Sequence, residues 1–128
     1  MELDLEKVVT NLKEATDDKF PIFKDDVEKD ELKGLNSYFI YKPYGRMSKT
    51  GKGEYSQEFY LAFITTEGID FFSTYIFKVI HQMKLAKLIF DESDYDQGDL
   101  KNTGETAEIF TLDFHRQLKC MTGTWSYG

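Results

Sequence analysis

The sequence predicts one α+β domain, a small and mostly antiparallel sheet packed with helices in the order α-(β)-β-β-α-β. Three observations carry this. Residues 4–18 and 69–90 place apolar side chains at helical spacing. Residues 57–66 and 106–121 read as strands, the later one alternating apolar and polar side chains with a period of two. The chain has 128 residues and lacks internal repeats, low-complexity tracts and linkers, which suits one folding unit. The domain is expected over 1–121, with 122–128 as a C-terminal tail.

At about 100° per residue, Leu5, Val8, Val9, Leu12 and Ala15 fall on one side of the first helix. Glu6, Lys7, Lys13 and Glu14 fall on the other. Acidic residues at its start complement the helix dipole. Phe20-Pro21-Ile22-Phe23 stops the helix and begins an extended piece, because proline disfavours the α region in its predecessor. Residues 24–36 are charged and turn-like. Residues 37–47 form an aromatic strand whose Pro43 signals an edge or a bulge. Residues 49–53, with two glycines, make a hairpin tip.

In residues 57–66, Phe59, Leu61 and Phe63 point one way and Tyr60, Ala62 and Ile64 the other. Both faces are apolar, as expected of a central strand covered on both sides. Ile69, Phe72, Ile76, Val79, Ile80, Met83 and Phe90 form the core stripe of a long helix over 69–90. Phe77, Leu85 and Leu88 interrupt its polar side. They predict either a second apolar patch shared between subunits or packing beneath a loop. Residues 91–105 read as an acidic loop. Phe110, Leu112, Phe114, Leu118 and Cys120 share one face of the last strand, and Thr111, Asp113, His115 and Gln117 share the other. The tail has no period.

Composition narrows the function classes. With 16 basic and 23 acidic residues the formal charge is −7, which disfavours specific nucleic-acid binding and anionic membranes. A lone cysteine excludes an intramolecular disulfide and fits folding in a reducing cytoplasm. The acidic N-terminus lacks the layout of a signal peptide. Aromatic residues make up 16%, more than a small core readily hides, so some rings are expected on surfaces that a partner covers.

Chemical motifs fail on spacing. Gly45 and Gly51-Lys52 are separated by five residues where a P-loop needs four, and Gly53 replaces the magnesium-binding hydroxyl. With Gly98 as the sixth residue of a calcium loop, Ser93, Tyr95 and Gln97 occupy ligand positions and Gly104 the glutamate position. His81 and His115 have no nucleophile or second metal ligand nearby in sequence. Cys120 lies in phase with apolar residues and reads as a small buried hydrophobe. No catalytic, cofactor or metal site is expected, and the chain is not expected to be an enzyme.

The order and length of the segments resemble the tail terminator (tail-to-head joining, tail completion) proteins of long-tailed bacteriophages. The likeness runs from the helix Leu5–Ala15 through the FPIF segment and the aromatic strand Tyr38–Tyr41. It continues through the glycine-rich hairpin, EFYLAFITT, the long helix after Gly68-Ile69-Asp70 and EIFTLDFHRQL. It implies a structural virion protein of the tail or neck, assembled in host cytoplasm. Such a protein forms a homohexameric ring that caps the tail tube and offers a face for joining to the head. Its partners would be copies of itself, the major tail tube protein and a head-completion or connector protein. DNA would pass through the ring without specific binding, and neither a membrane nor a cofactor takes part. Three alternatives stand beside it: a head-completion adaptor, of similar size and role; a cytosolic regulatory or ligand-binding α+β domain, which explains the composition equally well; and a small enzyme whose site forms only on folding.

Interface candidates follow from the residues. Lys42, Arg46, Lys49 and Lys52 form one basic segment with no carboxylate before Glu54. Phe77, Leu85 and Leu88 supply the apolar patch. Trp125 and Tyr127 lie in the tail, free either to pack in cis or to act as an arm in trans.

Overall fold

The computed structural model describes residues 3–25, 35–99, 106–121 and 124–127. Its helices are α1 (Leu5–Ala15), α2 (Phe71–Thr74) and α3 (Ile76–Leu85). Its strands are β1 (Ile22–Lys24), β2 (Ser37–Lys42), β3 (Met47–Gly51), β4 (Glu54–Thr65), β5 (Ile89–Asp99), β6 (Thr106–Met121) and β7 (Thr124–Tyr127). They form one seven-stranded sheet ordered β1-β2-β4-β6-β5, with β3 on the other half of β4 and β7 on the far end of β6. Only the β1–β2 pair is parallel among these strands. The α+β class and the mostly antiparallel sheet agree with the sequence. No described helix is long and apolar enough to cross a membrane.

β4 and β6 are the spine. Phe59, Leu61 and Phe63 stand opposite Phe114, Leu112 and Phe110, and all six face the helices. Val8, Leu12 and Ala15 of α1 and Ile76, Val79 and Met83 of α3 close over them. Asn11 Nδ2 donates to the Gln82 carbonyl at 2.9 Å, tying the two helices together. The opposite sheet face carries a smaller cluster around Tyr38, Ile64 and Ala107.

The core holds far more rings than composition suggests it can. Phe20, Phe39, Phe59, Phe63, Phe71, Phe110 and Phe114 are all buried. Phe63 lies 4.9 Å from both Phe20 and Phe39 and 5.0 Å from Phe71, centroid to centroid. Edge-to-face and offset contacts let bulky rings share a small volume, each pair adding about 0.5–1.5 kcal/mol beyond its area. Among the described aromatic residues, Tyr44, Phe77 and Tyr95 remain largely exposed.

Both helices end earlier than periodicity predicts, and for the same reason. Asp4 caps α1, accepting from the Lys7 N–H at 3.1 Å. At the other end Thr16 is the C-cap, Asp17 turns left-handed at φ 54°, and the Asp18 N–H returns to the Lys13 carbonyl at 2.8 Å. In α3, Ala86 is the C-cap and Lys87 turns left-handed at φ 70°. There the Lys87 N–H reaches the Lys84 carbonyl and the Leu88 N–H the Met83 carbonyl, each at 3.0 Å. This pair of bonds is a Schellman closure, formed without the glycine that usually announces one. The expected helix 69–90 is therefore two helices, broken at Tyr75 and ended before Lys87.

The strand expectations need three corrections. Residues 37–47 are not one strand: β2 stops at Lys42 and pairing with β4 resumes at Met47, five residues on against three in β4. Pro43–Arg46 bulge out, as the proline implied. The hairpin tip is shorter than 49–53, because β3 runs to Gly51 and the turn is Lys52-Gly53. Residues 91–99 are not a loop but most of β5, paired with β6 from Phe90↔Phe114 to Asp99↔Thr106. Residues 26–34 of the expected turn-like segment, and 100–105 of the expected loop, lie outside the described residues.

Candidate functional site

The basic segment sits at one lateral margin of the sheet. Lys42 ends β2, Arg46 belongs to the bulge, Lys49 lies in β3 and Lys52 in the turn; all four are exposed. The bulge is fixed by backbone: the Gly45 N–H donates to the Glu58 carbonyl at 2.8 Å, and the Glu58 N–H to the Arg46 carbonyl at 2.9 Å. Gly45 is required by close approach, since a Cβ there would lie 2.7 Å from that Glu58 oxygen. At the same level inside the sheet, Arg116 Nε donates to Gln57 Oε1 at 2.9 Å, both side chains being buried. Residues Met47 to Thr50 are exposed, and β4 is the only described strand beside β3.

The opposite margin is acidic. Turning 91–99 into a strand lines up Asp91, Glu92, Asp94 and Asp96 along β5, all exposed. β6 is the only described strand beside it. The register shifts between Phe90 and Glu92, so Asp91 is the extra residue of a bulge. Bulges re-aim side chains. Here Asp91 meets His115 of β6, with Nδ1 2.7 and 2.9 Å from the two carboxylate oxygens.

Between the margins, the sheet face away from the helices carries a row of polar side chains. Lys42 stands opposite Tyr60, Tyr60 opposite Asp113, and Asp113 opposite Glu92, so the row crosses four strands. The Tyr60 hydroxyl donates to Glu58, and this bond, with desolvation and the neighbouring carboxylates, pushes the phenol up to about 12. Partial burial raises the Asp113 carboxyl above its ordinary range, helped by Glu92, Glu58 and Asp91. Charge on this face thus runs from positive at Lys42 of β2 to negative at β5.

Chemically, the face offers a His–Asp pair and a row of carboxylates. A groove of about 410 Å³ lined by Leu5, Glu6, Val9, Thr10 and Tyr41 lies on the helix side. Among the described residues no His, Cys, Asp and Glu cluster is arranged to hold a metal ion.

The apolar candidates separate. Phe77 is 79% exposed and Leu85 48% exposed on the outer side of α3. Leu88 does not belong with them: it is fully buried, because the Schellman closure turns the chain and drives it inward beside Met83. In the tail, residues 124–127 are not structureless but form β7, with Trp125 opposite Cys120 and Tyr127 opposite Leu118. The backbone is tied in cis; the side chains of Cys120, Trp125 and Tyr127 lie outside the described residues.

Sequence reasoning missed Glu58, Tyr60, Asp91, Glu92 and Asp113 as a group. The period-two pattern already put Asp113 and His115 on one face; the missing signal was that 91–99 is a strand. No protein-family model matches this chain, and no curated protein matches it.

Proposed function

We propose that the protein is a non-enzymatic assembly subunit that closes into a ring on the end of a bacteriophage tail tube and presents a face for joining to the head. The observation that carries the reading is a pair of lateral sheet margins, both exposed and opposite in charge, on a subunit with helices stacked on one face. Such a subunit has two different surfaces for neighbours, as head-to-tail association in a ring demands. The element order supports the reading through its likeness to tail terminators. Phe77, exposed on α3, is the apolar anchor for a contact outside the ring, since aromatics dominate the centres of interfaces.

The test is electron microscopy of the protein mixed with tail tubes of the phage that encodes it. A six-fold ring at one tube end, with tubes of fixed length, is the expected result. One copy per tube sinks the ring, and binding to head connectors without tubes assigns the chain to head completion instead.

A further inference from the structure

We propose that the acidic outer edge of β5 receives the basic β3 edge of a second copy of this chain, joining the two sheets side by side. The inference deepens the ring reading and rests on it for its occupant. Three observations lead to it.

First, both strands are unpaired on their outer sides among the described strands, and their residues are exposed: Met47 to Thr50 on β3 and Asp91 to Gln97 on β5. An open strand edge is a row of backbone donors and acceptors that pairs with another strand unless something blocks it. Second, the block on β5 is selective. Asp91, Glu92, Asp94 and Asp96 repel most strands of an acidic protein, which carries −7 overall, but not the stretch holding Arg46, Lys49 and Lys52. Like-charge juxtaposition is costly, so the acidic edge rejects a second β5 and accepts β3. Third, each edge carries exposed apolar side chains amid its charges, Met47 on β3 and Ile89 and Tyr95 on β5. Pairing would remove them from water.

The geometry forbids the same contact within one chain. β3 and β5 flank β4 and β6 on opposite sides, three strand spacings or about 14 Å apart. Each copy therefore donates β3 to one neighbour and accepts with β5 from another. Five residues of strand make a small contact, weak singly and stable when the ring closes.

Two variants test this. Lys49→Glu/Lys52→Glu makes both edges acidic, and Asp94→Lys/Asp96→Lys makes both basic. Each alone should weaken self-association by about tenfold or more in sedimentation velocity. An equimolar mixture should recover it, with the two chains in equal numbers. In a Cys120→Ser background, Ser48→Cys mixed with Asp94→Cys should form an intermolecular disulfide. Oligomers of the parent that survive both charge reversals, or variants that stay apart when mixed, overturn the edge pairing and leave the ring reading standing. Open filaments that respond to the charge swaps keep the edge pairing and overturn the ring. A parent chain that remains monomeric alone and on tail tubes overturns both.

Discussion

Replacing Leu88 and Phe77 by alanine, one at a time, separates two residues that look alike in sequence. Both interrupt the polar side of the predicted helix 69–90. In the fold Leu88 is fully buried and Phe77 is 79% exposed. Truncating a buried leucine removes its transfer free energy and leaves a partly unrelaxed cavity, together costing about 2–5 kcal/mol. Leu88 packs beside Met83, which is also fully buried, and follows a left-handed residue whose position depends on the closure. The site has little freedom to collapse, so Leu88→Ala is expected to cost about 3 kcal/mol. At about 2.1 cal/mol/K per residue, unfolding the domain carries about 0.27 kcal/mol/K, and that loss lowers Tm by about 11 °C. Phe77→Ala should stay within about 0.5 kcal/mol of the parent. Urea unfolding followed by far-ultraviolet circular dichroism gives both values. The Leu88 variant should shift its midpoint without changing its slope. A loss below about 1 kcal/mol for Leu88→Ala, or above it for Phe77→Ala, refutes the assignment of the two residues to core and surface.

Further substitutions probe the bulge, the helix end and the acidic face. Gly45→Ala forces a Cβ against the Glu58 carbonyl and should cost about 1–3 kcal/mol in urea unfolding; an unchanged midpoint refutes the close approach. Lys87→Gly relieves the left-handed strain and, after glycine's greater loss of entropy, should stabilise by up to about 1 kcal/mol; a lowered Tm argues against the closure. Asp113 has its folded pKa raised, chiefly by burial, so its contribution to stability is complete below the ordinary carboxylate range and lost as pH rises through the raised value. Asp113→Asn should therefore melt above the parent near neutral pH, with the gap closing toward about pH 3. Melting curves over that range that run parallel reject the sign.

Much of the core was legible. Val8, Leu12 and Ala15 were placed by helical period, and Phe59, Leu61, Phe63, Phe110, Leu112 and Phe114 by strand period. The basic segment was legible too, since Arg46, Lys49 and Lys52 are consecutive basic residues with no acid between them. Pro43 marked its bulge because a missing N–H interrupts any ladder.

The acidic half of the candidate site was not legible, for a definite reason. DESDYDQGD has low strand propensity, so local preference favours a loop. It becomes β5 because β6 supplies a rigid neighbour whose backbone groups need partners and whose Phe110 receives Tyr95 at 5.0 Å. The helix ends were hidden in the same way. Asp17 and Lys87 take left-handed conformations that their types disfavour, and the gain comes from closing α1 with a return bond to Lys13 and from burying Leu88.

Period and punctuation are local properties, and they alone determined that this chain builds helices over a mostly antiparallel sheet with β4 central in it. That β6 lies beside it at the heart of the sheet came from the pairing. Which strands lie at the margins, where Leu88 goes, and that a basic edge faces away from an acidic one are settled by pairing between residues far apart in sequence. Those pairings form only when the whole sheet assembles, because each edge strand draws its stability from the strand already beside it.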